Sequence, residues 1–204
     1  MKSRLLPAVL AAASLLLVGC LPESKNPLST PATSRIDSRI GGIYAQQKEG
    51  KKEDSAFWHF HYRGASPGKN QQLRTTTKIE IVGVSHQSEG GLDGARYHAF
   101  ATRLGGHDYL SFVEEKNDGA KKENYNFARY EVNWRGDLRL WLLDNEAIAA
   151  AVTSGKLRGK VRSTQYGKDV LLTDSTANLA AFISASDPDT LFGKKPMILR
   201  RLAR

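Results

Sequence analysis

The chain has 204 residues, one cysteine and a formal charge of +9, from 30 Lys and Arg against 21 Asp and Glu. A lone cysteine excludes an internal disulfide, and the length suits one domain that buries its core without covalent staples. The basic balance favours anionic surfaces in general, but no aromatic-rich basic motif points to nucleic acid.

Lys2 and Arg4 precede an apolar run from Leu5 to Val18, which Gly19-Cys20 closes. A run of about 14 apolar residues is too short to span a bilayer and has the layout of a secretory signal. Leu17-Val18-Gly19-Cys20 resembles the lipobox of bacterial lipoproteins. The resemblance implies cleavage between Gly19 and Cys20, and a diacylglycerol on the Cys20 thiol. Several acyl chains on one residue anchor a protein stably where a single chain does not. Leu21 stands where enteric-type inner-membrane retention favours Asp, so the implied location is the outer membrane. Cleavage leaves 185 residues and a formal charge of +7.

Leu21 to Ser34 holds Pro22, Pro27, Pro31, Ser24, Ser29, Thr30 and Thr33 with little apolar content. This composition predicts a flexible tether with a reach of about 20–25 Å. The expected division is a leader over 1–19, a lipidated Cys and tether over 20–38, and one β-rich domain over 39–204.

Short alternating strands follow. They are expected over Ile40–Gln46, Ala56–Arg63, Lys78–His86, Arg96–Leu104, Tyr109–Glu115, Tyr125–Asn133 and Leu138–Leu143. Glu89–Gly94, Gly105-Gly106 and Trp134–Asp137 read as turns, and Lys116–Asn124 as a polar loop. Asp144 is placed to cap a helix over Asn145–Thr153, which Gly155 ends. Lys160–Thr173 reads as one or two strands. Asp174 or Ser175 caps a second helix reaching Ser184, Asp187-Pro188 opens a short turn, and Met197–Leu202 is a last strand.

Seven strands in meander, two or three short helices and a closing strand predict a mainly β domain, closed into a small antiparallel barrel. Closure removes exposed edges; a β-sandwich is the alternative. Ile36-Asp37 followed by Ile40-Gly41-Gly42-Ile43-Tyr44 resembles the start of lipocalin-like (calycin) barrels, with Tyr44 where those carry Trp. The resemblance implies an Arg near the last strand packed over that ring, here Arg200 or Arg201. The layout of anchor, Asn26-Pro27-Leu28 and this first strand also resembles bacterial lipoproteins without an assigned activity.

Meander order places Lys48–Ser55, Gln87–Gly94 and Lys116–Asn124 at one end of the barrel. The turns at Gly105-Gly106 and Trp134–Asp137, and the long Gly64–Thr77 connection, fall at the other. With the tether expected at the tight-turn end, the longer loops would face away from the membrane as a mouth. Lys48, Lys51, Lys52, Lys121 and Lys122 put basic charge there, interspersed with acids.

Trp58, Phe60 and Tyr62, with Phe100, Phe112, Phe127 and Trp141, are the candidate lining of a ligand cavity, or the filling of a core. His59 and His61 share the other face of their strand, with His86, His98 and His107 on other strands; the spacing does not define a metal site. Glu114-Glu115 and Asp187/Asp189 are surface carboxylate pairs. There is no Gly-x-Ser-x-Gly, no His-Glu-x-x-His and no phosphate-binding glycine loop. The expectation is a non-catalytic lipoprotein without metal or cofactor, joined to the membrane through Cys20. Its partner would be an envelope protein or a small apolar ligand, with no nucleic acid.

Overall fold

The alternation Phe57-Trp58-His59-Phe60-His61-Tyr62 puts every second side chain on one face, and the fold buries that face. The computed structural model describes residues 21–47, 54–62, 77–86, 91–116, 124–165 and 167–203. A two-residue strand, β1 (Glu23–Ser24), and one turn of 3-10 helix at Ser38–Ile40 precede the barrel. The barrel strands are β2 (Gly42–Gln47), β3 (Asp54–Tyr62), β4 (Lys78–His86), β5 (Leu92–Leu104), β6 (His107–Glu115), β7 (Asn126–Val132) and β8 (Leu138–Leu142). Next come α1 (Asn145–Thr153), β9 (Gly159–Thr164), β10 (Gly167–Leu172), α2 (Thr176–Ala185), α3 (Pro188–Leu191) and β11 (Met197–Ala203).

Each of β2 to β8 pairs antiparallel with the next, and β11 pairs with both β8 and β2 to close an eight-stranded barrel. The seven-strand meander with its closing strand is as expected, and the closed antiparallel barrel is consistent with the lipocalin-like architecture. Sequence boundaries fail mainly at β5. It begins at Leu92 and not Arg96, because Leu92, Asp93 and Gly94 pair with His86, Ser85 and Val84.

Two apolar layers result. Tyr44, Phe60, Ile79, Ala99, Leu110, Tyr130 and Leu199 fill the barrel interior. Outside β6, β7 and β8 a second layer joins Tyr109, Phe127 and Trp141 to Ile148 of α1, Leu179 and Ile183 of α2, and Phe192. The Asp144 carboxylate caps α1 by accepting from the Ala147 N–H at 2.9 Å. Ser175, and not Asp174, caps α2; Asp174 accepts from Asn178 Nδ2 at 3.1 Å and from the Arg158 N–H.

The segment expected as a tether is a strap bound to the barrel wall. Ser24 and Tyr125 exchange backbone hydrogen bonds of 2.8 and 2.7 Å, and the Lys25 N–H donates to the Leu172 carbonyl at 3.0 Å. Leu28 is buried in the outer apolar layer, and its N–H donates to Ser111 Oγ at 2.9 Å. Ser29 and Thr102 share a buried hydroxyl contact of 2.5 Å. The Arg35 N–H then donates to the Ala101 carbonyl. Polar composition misled here because the hydroxyls and backbone groups bond to the barrel instead of water, and Leu28 supplies an apolar pin.

The strap also has the opposite direction to that expected. It starts beside Tyr125 and Asn126, where β7 begins, and reaches the tight-turn end only at Asp37. Antiparallel pairing puts the start of β7 at the end that carries the connections after β2, β4 and β6. Leu21 therefore lies at the loop end. A mouth held away from the membrane by a tether at the other end does not fit this path.

Candidate functional site

Strand parity divides the seven candidate aromatics. Trp58, Phe60, Tyr62 and Phe112 point into the barrel, while Phe127 and Trp141 belong to the outer layer beneath the helices. Phe100 sits across from Ser111, opposite in parity to the inward Ala99 and Ala101, so it also faces out. The seven do not line one cavity, because Phe100 and Phe127 are one residue out of step with their inward neighbours.

Inside, the Trp58 ring lies so close over Gly83 that a Cβ there would stand 2.6 Å from the ring. Tyr97 and Phe112 meet edge to face at 5.9 Å, as do Tyr44 and Phe60 at 5.4 Å. A depression of about 520 Å³ opens on the outer surface, between the strap, the end of β5 and α2. Leu28, Thr30, Arg35, Thr102, Leu104 and Ala177 are among its walls, and none of the seven aromatics is.

The tight-turn end is closed by a charged cluster around Asp37. Arg39 donates to both Asp37 oxygens, from Nε at 2.8 Å and Nη2 at 2.5 Å, and Arg35 Nη2 and the Tyr130 hydroxyl donate to Oδ2 at 2.8 Å each. The Tyr62 hydroxyl accepts from the Asp37 N–H at 2.6 Å. Burial raises the Asp37 pKa, but the donors from Arg39, Tyr130 and Arg35 outweigh it and hold the carboxyl well below its ordinary range. Burial and the bond to Asp37 push the Tyr130 phenol far up. Asp108 links to Arg39 at 2.6 Å, so the cluster holds two carboxylates among arginines. Nothing in the sequence pattern marked Asp37 as this hub, since Tyr62 and Tyr130 reach it from β3 and β7.

Beside it, Arg201 packs over Tyr44 with 4.9 Å between guanidinium and ring centre. The implied arginine is thus Arg201; Arg200 is exposed on the other face of β11.

His59 and His61 stack at 4.8 Å on the outer wall of β3. His61 Nε2 lies 3.6 Å from Glu80, His98 Nε2 lies 2.6 Å from Glu115, and Arg96 reaches Glu80 at 3.5 Å and Glu115 at 3.7 Å. These groups form a ladder of polar contacts across β3 to β6. Among the described residues, no group of three His, Cys, Asp or Glu side chains is placed to hold a metal. His107 starts β6 after the Gly105-Gly106 turn, and the side chain of His86 lies outside the described residues. Asp187 caps α3 at the Asp189 N–H, and Asp189 bonds Arg129 at 2.9 Å. Arg129 is buried over the Trp141 ring at 4.3 Å.

Gly19, Cys20 and the apolar leader lie outside the described residues, as do Gly50, Gly119, Lys48, Lys51, Lys52, Lys121 and Lys122. Comparison with known proteins finds no matching family model, no similar curated protein and no similar solved structure.

Proposed function

We propose that this chain is a bacterial lipoprotein, anchored in the outer membrane through lipid on Cys20, whose barrel serves as a non-catalytic binding or envelope-accessory module. The observation that carries the reading is Leu17-Val18-Gly19-Cys20 at the end of the apolar leader, with the only thiol of the chain. The start of the strap supports it. Leu21 is only half-buried against the outer wall of the barrel, so the strap begins at the domain surface. The ionisable clusters around Asp37 and Glu115 are occupied with their own counter-charges, as groups that stabilise a scaffold are.

A lipocalin-type carrier of an apolar ligand needs a hollow interior, and here Tyr44, Phe60, Leu110 and Tyr130 occupy that space. The module would then bind by its outer surface, with an envelope protein as the partner class. Intact-mass measurement on protein extracted from membranes tests the anchor. The expected mass is that of residues 20–204 plus acyl chains, and Cys20→Ala should abolish both the cleavage and the added mass. An unmodified, uncleaved chain of full membrane affinity would sink the proposal.

A further inference from the structure

We propose that the loop end of the barrel rests on the bilayer, with Phe57, Val84, Leu92 and Ile198 meeting the lipid. The inference rests on the anchor reading of Cys20 and adds to it an orientation and a contact surface.

The reach of the N-terminal segment fixes which end meets the membrane. A 14-residue free tether would let the domain stand off at any angle, but here the chain is fixed to the barrel from Pro22 onward. The Pro22 carbonyl accepts from Asn126 Nδ2 at 3.2 Å, and Asn124 Nδ2 donates to the Glu23 carboxylate at 2.6 Å. Cys20 is bonded to Leu21, so its Cα lies about 3.8 Å from a residue at the loop end. β5 runs 13 residues, which spans roughly 30 Å of barrel height at the usual rise and tilt. Acyl chains on Cys20 therefore bring the loop end to the membrane and leave the tight-turn end far from it.

Exposed apolar side chains fall at both ends, Ile36, Ile43, Trp134 and Leu202 at the tight-turn end and four at the loop end, and the anchor selects which group meets lipid. Near the loop end the outer wall of β11, β3, β4 and β5 carries exposed apolar side chains, Ile198, Phe57, Val84 and Leu92, the last 68% exposed. Phe57 pairs directly with Val84, and Leu92 precedes Gly94, the partner of Val84 on β5, by two residues. Exposed Lys116 follows β6 at that level, and exposed Lys160 sits two strands from Glu23 in the small sheet of β1, β10 and β9. Asp93, Glu114 and Glu115 balance these lysines at the same level, so it is the apolar side chains that suit the bilayer interface.

Trp134 supplies the opposing reporter. It is 87% exposed on the turn between β7 and β8, at the tight-turn end. The full chain, produced in bacteria and extracted from membranes, would be reconstituted into phosphatidylethanolamine and phosphatidylglycerol vesicles with brominated acyl chains. Leu92→Trp, made together with Trp134→Phe, should lose about half its added emission to the brominated lipid, as expected for a side chain at the interface. Native Trp134 should keep its emission and stay open to iodide. Ile198→Trp gives a second reporter should Leu92→Trp disturb the strand. Quenching of Trp134, or no quenching of either new tryptophan in acylated protein, overturns the orientation alone. A mass without acyl chains overturns the anchor, and this inference with it.

Discussion

The Arg201 guanidinium lies 4.9 Å from the centre of the Tyr44 ring, and its Nη2 donates to the Tyr44 hydroxyl at 2.5 Å. The same guanidinium donates to the carbonyls of Gly41 at 2.8 Å, Gly136 at 2.9 Å, and Arg39. It thus ties the closing strand to the start of β2 and to the β7–β8 turn. A lysine has one charged centre and cannot reach all these acceptors in their plane. Arg201→Lys should lower unfolding stability by about 2 kcal/mol, and Arg200→Lys by less than about 0.5 kcal/mol, in urea denaturation. Equal effects would show that the planar fork is not what matters. Burial raises the Tyr44 phenol to about 12, so the pair should hold unchanged through pH 8.

Gly83 gives a steric prediction. Any side chain there meets the six-membered ring of Trp58 on the paired strand. Gly83→Val should cost about 1–3 kcal/mol and change the near-ultraviolet circular dichroism of the tryptophan. Adding Trp58→Leu should recover part of the loss.

Asp37 gives a pH prediction with a defined sign. Its folded pKa lies below the unfolded value, so its contribution is complete above the ordinary carboxylate range near pH ~4 and is lost as pH falls below it. Asp37→Asn should cost about 2–3 kcal/mol at pH 7. Melting temperature followed from pH 7 to pH 2.5 should fall less steeply in Asp37→Asn than in the native protein. Parallel curves would place the acid sensitivity elsewhere.

Leu28 tests the strap. Leu28→Ala removes buried volume from the outer layer and should cost about 2–4 kcal/mol. Limited proteolysis of the variant should cut between residues 25 and 37 at rates the native protein does not show, while the barrel fragment persists. Protection equal to native would mean that the backbone hydrogen bonds suffice to hold the segment.

The barrel was legible because period-two alternation is a local signal. Ala56–Tyr62 and Lys78–His86 declare their inward faces without help from the rest of the chain. Arg201 was legible through the likeness of Ile40–Tyr44 to a known first strand, though not the choice between neighbours, which strand parity decides. The cavity set failed on the same parity. Phe100 and Phe127 look apolar wherever they point, and a second apolar layer under α1 and α2 accepts outward aromatics. The strap was hidden for a different reason. Pro, Ser and Thr signal solvated chain when alone, and the strap's partners Ser111, Thr102 and Asp174 lie between 73 and 148 residues away. The Asp37 cluster was hidden likewise, its partners Tyr62 and Tyr130 being 25 and 93 residues distant.

Glu23 pairs in parallel with Leu171, and Tyr44 antiparallel with Arg201. The first stretch of the domain to emerge during synthesis therefore has its partners among the last. The barrel seam and the strap must both wait for the C-terminal third, since contacts of such separation close late. Until then β3 to β8 can zip hairpin by hairpin while the N-terminal segment trails as slack chain. Completion of β10 and β11 draws that slack in, so the final step of folding is also the step that brings residue 21 to rest on the barrel wall.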